Sequence, residues 1–273
     1  MDLLAELRSL ILRRAGRGPV LDGVTVARVD QPSPPSAVMA EPSVAIVASG
    51  RKRATLNGVP YDYGAGQYLV VSLDLPIVGQ ALEASRDEPY AVVSLRLRPS
   101  DIAPLLPSAP TPARAPGLAI SDAPVELLDP VVRLLRAAEH PADLHVLGES
   151  YRREILWRLV TGEQGATVRQ IGGSITPVAR AVSWLREHYA SPVSVDRLAA
   201  LAGLSPSAFH RHFRAATSMT PVQYQKQIRL QAARSLLQSD PATVAAIAGR
   251  VGYRSASQFT RDYRRAFGTS PRA

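Results

Sequence analysis

The stretch VDRLAALAGLSPSAFHRHFRAATSMTP, residues 195–221, recurs further along the chain as VAAIAGRVGYRSASQFTRDYRRAFGTSP, residues 244–271. Matching residues lie 49 positions apart at first and, after one inserted residue, 50 positions apart: Leu198 and Ile247, Ala199 and Ala248, Gly203 and Gly252, Phe209 and Phe259, Arg211 and Arg261, Phe213 and Tyr263. An internal repeat of this kind indicates one supersecondary unit that is used twice.

Each copy has the parts of a helix-turn-helix. A short alanine-rich helix lets a second helix pack closely across it, and Gly203 or Gly252 permits the left-handed conformation that ends the first helix. Ser205, followed by proline, predicts an N-cap and the first position of the second helix. Phe209 and Phe213 are four residues apart on one face of that helix, so we expect both to be buried.

Burial of the aromatic face leaves the opposite face of each second helix exposed. The outward residues are Ser207, His210, Arg211 and Arg214 in the first copy and Ser257, Gln258, Thr260, Arg261 and Arg264 in the second. Arginine suits a DNA-contacting face because its planar guanidinium can bond two acceptors of guanine or pair with a phosphate. For His210, the pattern allows either a DNA contact or a solvated surface histidine.

A single helix is predicted between the two copies. It begins with Thr220 as N-cap and has Gln223 at the position where a capping box places Glu or Gln. From Pro221 to Gln238 it would be about 27 Å long at 1.5 Å per residue, against the roughly 34 Å between successive major-groove faces. The two second helices are therefore predicted to lie in adjacent major grooves of double-stranded DNA.

The positive charge is concentrated in the repeat-bearing segment. Residues 178–273 hold 14 Lys and Arg against 4 Asp and Glu, whereas the rest of the chain holds 18 against 19. This asymmetry indicates a polyanionic partner for one domain only. The chain has no cysteine, which excludes disulfides and thiolate metal sites and fits a reducing cytoplasm. No signal peptide or membrane span is predicted.

The preceding part of the chain predicts a mostly-β domain. From Val24 to Pro99, short strand-like runs alternate with turns, and Asn57-Gly58 is the clearest hairpin signal, so we expect an antiparallel sandwich or barrel. Two amphipathic helices are predicted at 125–139 and 143–161. They could form a dimer interface or only cover the barrel. A Gly- and Gln-containing linker follows them.

These motifs support a family resemblance. The segment from Thr176 to Pro271, with both copies, the linking helix and the closing GTSP, resembles the DNA-binding domain of the AraC/XylS family of transcription regulators. SGRKRATLNGVPYDYGAGQYLVVSLDLP, residues 49–76, resembles the cupin-like regulatory domain of one branch, and YRREILWRLVTGEQG, residues 151–165, is similar to its dimerisation region.

The resemblance implies a two-domain organisation. A cupin-like barrel with two appended helices is expected at 1–165, a linker at 166–176, and an all-α domain of two helix-turn-helix units joined by a linker helix at 177–273. It also implies a homodimer, a contact with RNA polymerase, and base contacts by the outward residues of the two second helices, namely Ser207, His210, Arg211, Ser257, Gln258, Thr260 and Arg261.

Candidate effector residues in the first domain are Arg51, Arg53, Tyr61 and Tyr68. Strand alternation sends Arg51 and Arg53 to one face and Lys52 to the other, and such charges are also common on surface strands. All five histidines follow the strand region, so no metal site, cofactor or catalytic residue is predicted in the barrel.

The predicted function is sequence-specific transcription regulation, modulated by a small molecule through the first domain. Two other classes of protein share some of these features. An enzyme built on the barrel would require catalytic groups there. A non-specific architectural DNA protein would share the charge but would not require two capped recognition helices.

Overall fold

The computed structural model describes residues 2–106, 115–172, 177–240 and 242–271. In these ranges the helices are α1 (Leu3–Arg14), α2 (Pro99–Ile102), α3 (Val125–Ala137), α4 (Pro141–Thr161), α5 (Gly165–Gly172), α6 (Pro177–Glu187), α7 (Val195–Ala202), α8 (Pro206–Thr217), α9 (Pro221–Ser239), α10 (Val244–Arg250) and α11 (Ala256–Phe267). The strands are β1 (Val24–Val29), β2 (Ser36–Ala40), β3 (Ser43–Ser49), β4 (Arg51–Leu56), β5 (Val59–Gly64), β6 (Gln67–Val71), β7 (Leu75–Glu83), β8 (Tyr90–Arg96) and β9 (Leu118–Asp122). None of these helices has the length and apolar content needed to cross a membrane.

The strands form the predicted two-layered antiparallel domain. Within the described ranges, one sheet has the order β1-β8-β3-β6-β9 and the other the order β2-β7-β4-β5. The hairpin between β4 and β5 turns at Asn57 and Gly58, with Leu56 opposite Val59. Both turn residues have positive φ, 49° and 82°, which matches the right-handed twist of a two-residue hairpin.

Strand alternation gives the five-stranded sheet two buried faces. On β3, Val44 and Ile46 belong to a core shared with α1, α3 and α4, whereas Val47 belongs to the core between the two sheets. The apolar face of α3 is packed against the sheet through residues that include Leu128, Val132 and Leu135. Of the two predictions for α3, a barrel cover or a dimer interface, its burial fits the cover.

The segment predicted as a linker at 166–176 is helical as far as Gly172. Helix α5 buries Val168 and Ile171 in the same core as α3 and α4. A Cβ on Gly172 would lie 2.5 Å from Cγ2 of Ile102, so this glycine serves close packing and not chain flexibility. The compact part of the first domain therefore extends beyond residue 165, and residues 173–176 lie outside the described ranges.

The second domain contains both predicted helix-turn-helix units. Helix α7 ends at Gly203 in the left-handed conformation with φ 67°, and Ser205 Oγ accepts a hydrogen bond from the Ala208 amide. The predicted capping box of Thr220 and Gln223 begins α9. With 19 residues, α9 is about 28 Å long.

The two units differ in how they attach to the rest of the molecule. The aromatic core of the first unit, including Phe213 and Tyr224, is continuous with barrel residues such as Leu75 and Leu118. The second unit has a separate core, which contains Phe259. The first unit is therefore packed against the regulatory domain, while the second is attached mainly through α9.

Candidate nucleic-acid interface

Helix α8 presents the predicted outward face. Phe209 and Phe213 are fully buried, with ring centroids 5.4 Å apart, and they fix the orientation of the helix against α7 and α9. The predicted residues of its opposite face are all exposed, and they are Ser207, His210, Arg211 and Arg214. The buried aromatic pair thus determines which side chains reach solvent.

Helix α11 repeats this arrangement with one difference. Phe259 is fully buried, and the exposed residues are Ser257, Gln258, Arg261 and Arg264. Thr260 is half-buried, and its hydroxyl donates a hydrogen bond to the Ala256 carbonyl at 2.9 Å. Nη2 of Arg264 lies 2.6 Å from the hydroxyl oxygen of Ser270, to which it donates. Thr260 can therefore offer an acceptor lone pair and its methyl group, and Arg264 is held in place.

Several of the outward arginines are not neutralised by the protein. Across the described residues, no carboxylate forms an ion pair with Arg211, Arg214 or Arg261. Other cations of the domain are already committed: Arg186 pairs with Asp74, Lys226 with Asp262 and Arg250 with Asp240. Among the described residues, exposed arginines without a carboxylate partner therefore lie on both recognition helices, and Arg180, Arg197 and Arg254 elsewhere in the domain are of the same kind.

Two exposed arginines near α11 were not among the predicted contacts. Arg254 directly precedes the N-cap Ser255, and it lines an open cleft together with Gln258. Arg265 is exposed in the last turn of α11. The sequence signal that identifies Arg254 is a basic residue in the turn before a recognition helix.

The candidate effector residues do not lie in one place. Arg53 forms a two-point ion pair with Asp62 on the outer face of the sheet, at 2.6 and 2.7 Å, and Arg51 lies beside the same carboxylate. Tyr68 is 2% exposed in the core between the five-stranded sheet and its covering helices. Tyr61 packs against the core between the sheets.

Lys52 is the cation that faces the barrel interior. It lies opposite Tyr63 in the β4–β5 ladder, and its Nζ is 5.8 Å from the ring centroid of Tyr90. Burial lowers the pKa of Lys52 and raises the pKa of Tyr63 to about 12. The sequence placed Lys52 on the face opposite the arginines, but alternation alone did not identify that face as the inner one.

The described residues bring no three His, Cys, Asp or Glu side chains together as a metal site would require.

A family description, AraC-type transcriptional regulator N-terminus, matches residues 20–167, more than half of the 273-residue chain. The chain belongs to the AraC family of transcriptional regulators. A helix-turn-helix domain description matches residues 198–273, which include both recognition helices.

Individual AraC-family relatives agree with this assignment. RhaS of Escherichia coli, an HTH-type transcriptional activator, is 30% identical over 148 residues, which are 54% of this chain and 53% of RhaS. The chain thus spans about half the length of the curated relatives it matches.

Two solved structures of other proteins are similar to this chain. Apo ToxT of Vibrio cholerae superposes with a TM-score of 0.56 over 91% of this chain and 94% of its own, at 10% identity, so the two chains share a fold. The DNA-binding domain of AdpA, determined in complex with a target DNA, is 36% identical over 35% of this chain and 86% of its own, with a TM-score of 0.34.

Proposed function

We propose that this AraC-family protein is a sequence-specific transcription regulator that reads two adjacent segments of the DNA major groove in the bacterial cytoplasm. The observation that carries the proposal is the pair of capped, repeated helices whose exposed faces hold arginines that no carboxylate of the described residues pairs with. Phosphate contacts supply most of the affinity, and base contacts by the two outward faces supply sequence choice. RNA polymerase is the partner through which promoter occupancy changes transcription.

In this proposal Arg211 and Arg261 are equivalent base-reading residues of the two repeats. Each occupies the same position relative to its buried aromatic pair, and each guanidinium is free to bond two acceptors of a guanine. Their neighbours on the outward faces complete the contact set: Ser207, His210 and Arg214 in α8, and Ser257, Gln258, Thr260 and Arg264 in α11.

The test is selection of bound sites from a random duplex library at physiological salt. The wild type is compared with Arg211→Ala and Arg261→Ala, and Arg86→Ala, which changes an exposed arginine of the first domain, is the matched control. We expect a motif of two blocks about one helical turn apart, with each substitution weakening one block and the control weakening neither. Uniform weakening of all sequences would instead favour an architectural DNA-binding protein.

We also propose that a small-molecule signal binds to the first domain. An open cavity of about 630 Å³ lies at one end of the barrel and is lined by residues that include Arg51, Gln67 and Glu83. Lys52 and Tyr61 do not line this cavity; they offer a cation and a phenol on the opposite, inner face of the same hairpin. Arg53 is bound by Asp62, and Tyr68 is buried between the five-stranded sheet and its covering helices. In this proposal both residues support the effector site.

The effector proposal is tested by thermal shift with a panel of small carboxylic acids and neutral sugars. We expect stabilisation of the wild type by members of one class and loss of that stabilisation in Arg51→Ala or Lys52→Met. Arg28→Ala, on the other sheet, is the control. A ligand whose effect survives both substitutions would place the site elsewhere.

Helix α4 supports a homodimer. Its outward strip includes Val146, 71% exposed, and Trp157, 42% exposed, whereas the exposed large apolar side chain of α3 is Val125 at its first position. We propose that a second copy of the chain packs against this strip, because large apolar side chains that repeat along one helix face are characteristic of association surfaces. Trp157→Glu is expected to give a monomer in analytical ultracentrifugation, while His145→Glu on another side of α4 leaves the dimer intact.

A further inference from the structure

The first observation concerns the turn that follows α6. The carbonyls of Tyr189, Ala190 and Ser191 point toward α9. The Gln225 side chain, 5% exposed, donates hydrogen bonds from Nε2 to the Tyr189 carbonyl at 2.9 Å and to the Ser191 carbonyl at 2.6 Å. Such carbonyls at a helix end have no partner within the helix, so they require donors from elsewhere.

Arg229, one turn further along α9, binds the same three carbonyls. Its Nε donates to Tyr189 at 2.6 Å, and its Nη2 donates to Ala190 at 3.3 Å and to Ser191 at 3.0 Å. Burial lowers the pKa of Arg229, and among the described residues no carboxylate pairs with it. A planar guanidinium can serve several fixed acceptors at once, which a lysine ammonium cannot do in the same geometry. We call Gln225, Arg229 and these three carbonyls the carbonyl brace.

The second helix-turn-helix unit lies directly against the brace. Gly252, in the turn after α10, has φ +88°, and a Cβ at this position would lie 2.2 Å from the Ala190 carbonyl oxygen. At the equivalent Gly203 of the first unit, the nearest atom to such a Cβ is 3.9 Å away. Only the second unit therefore requires a glycine for close contact as well as for its backbone conformation.

Two further contacts join the same parts. The side chain of Tyr189 packs against both the core of the first unit and the core of the second. Lys226 of α9 pairs at 2.6 Å with Asp262 of α11, which is 8% exposed. The second recognition helix is thus connected to α9 and, through the brace, to α6.

From these contacts we propose that the carbonyl brace fixes the rotation of the second helix-turn-helix unit about α9, and thereby sets the spacing between the two DNA blocks that the protein accepts. Gln225, Arg229 and Gly252 are positioning residues in this proposal, which rests on the two-block reading proposed above. The second unit packs against α9 through Leu230 and Ala233, and its contact with the brace at Ala190 restricts the rotation about the helix axis that this packing leaves.

The physical consequence concerns insertions between the blocks. One additional base pair moves the second block by about 3.4 Å along the duplex and turns it by about 34°. A protein whose second unit is held by the brace then loses the base contacts of one block. A protein without the brace can move its second unit to the displaced block and keep those contacts.

The first experiment measures binding of the full-length protein to duplexes that carry the selected motif with its natural spacing, or with one or two base pairs added or removed. We expect the wild type to lose roughly tenfold or more in affinity per altered base pair, as for a lost base contact. Arg229→Met and Gln225→Met are expected to lose less than about threefold. Arg250→Met, which breaks a neighbouring ion pair to Asp240 outside the brace, should retain the wild-type spacing preference, and Arg229→Lys should recover only part of it.

A second experiment does not depend on DNA. Because the chain has no cysteine, Ser207→Cys and Ser257→Cys place two unique spin labels on the exposed recognition faces of the full-length protein. We expect a narrow distance distribution between the labels, and a broad one after Arg229→Met or Gln225→Met. A broad distribution in the otherwise unaltered protein, or an unchanged spacing penalty in both folded variants, would overturn the brace. Absence of any two-block motif together with a narrow distribution would instead count against the proposed function alone.

Discussion

Three arginines of the second domain lie in three different environments. Arg186 pairs with Asp74 of the barrel, Arg229 is surrounded by main-chain carbonyls, and Arg211 is exposed without a carboxylate partner in the described chain. The same type of side chain therefore joins two domains, binds main-chain carbonyls between helices and, in Arg211, extends into solvent. Net charge alone does not separate these roles, because of these three arginines only Arg211 has an exposed charge with no carboxylate partner among the described residues.

Arg214 offers a direct test of phosphate contact at the residue scale. It is exposed in the last turn of α8, where we expect it to pair with a phosphate and not with a base. Arg214→Ala should weaken binding to all duplexes similarly and reduce the slope of log K against log salt by about 0.9. Fluorescence anisotropy over a salt series measures both quantities. Sequence-selective weakening at an unchanged slope would assign Arg214 to a base.

Lys52 gives a prediction with a defined pH dependence. Burial disfavours its charged form, so the folded-state pKa is lower than the unfolded-state pKa. At neutral pH the charged amine therefore destabilises the fold, and this cost is lost as pH rises from the folded pKa towards the unfolded one. Lys52→Met is expected to be more stable by on the order of 1 kcal/mol at pH 7, with a smaller difference in alkaline solution.

Urea denaturation at several pH values measures this difference. Arg28→Met, on an exposed strand of the other sheet, is the control, and it should show no such convergence with pH. If Lys52→Met proves less stable than the wild type at neutral pH, the interaction of the ammonium with the Tyr90 ring outweighs the burial cost.

At the element scale, the capping box of α9 determines where the linking helix begins. The Thr220 hydroxyl accepts from the Gln223 amide at 3.2 Å, and the Thr220 amide donates to the Gln223 side chain at 2.9 Å. Thr220→Ala should lower the free energy of unfolding by about 1 kcal/mol because the Gln223 amide loses its acceptor, the Thr220 hydroxyl. Ser235→Ala, at an exposed position of the same helix, should change it by less than about 0.5 kcal/mol. Equal effects in chemical denaturation would show that the cap contributes nothing.

The elements that the sequence predicted are those with strong local signals. The repeat, its caps and its four-residue aromatic spacing predicted α7 to α11, and the Asn57-Gly58 turn predicted the β4–β5 hairpin. The short edge strands β2 and β9 depend on pairing with distant residues, so local pattern did not identify them individually. The glycines around α5 favour a linker in the sequence, whereas the fold uses Gly165 and Gly172 for close packing.

In the candidate sites, too, the sequence predicted some features and left others undetermined. The outward faces of α8 and α11 follow from helical periodicity alone, so the sequence predicted their exposure. The inner position of Lys52 depends on which side of β4 the second sheet covers, and the contacts of Arg229 depend on how α6 meets α9. Both are tertiary facts that no local pattern contains.

At the scale of the whole molecule, the first domain contacts the first helix-turn-helix unit through a shared apolar core, hydrogen bonds to main-chain carbonyls and the Arg186–Asp74 ion pair. The Gly117 amide donates to the Ala216 carbonyl at 3.0 Å, and the Asn57 side chain donates to the Ser218 carbonyl at 2.7 Å. Asp74 accepts from Tyr224 through its carbonyl. These contacts bind the carboxyl end of α8 to the first domain. A conformational change in the barrel can therefore move this recognition helix without involving the second unit.

This contact predicts that the barrel and the first helix-turn-helix unit unfold together. A Cβ at Gly117 would lie 2.2 Å from the Ala216 carbonyl oxygen, so Gly117→Val must push the two domains apart and open their common core. We expect calorimetry to show one shared transition for these parts in the wild type and two separated transitions in the variant. Gly249→Ala, where a Cβ meets nothing within 4 Å in α10, should keep the shared transition and add slight stability through helix propensity. A single transition retained in Gly117→Val would mean that the domains are coupled through Arg186 and Asp74 instead.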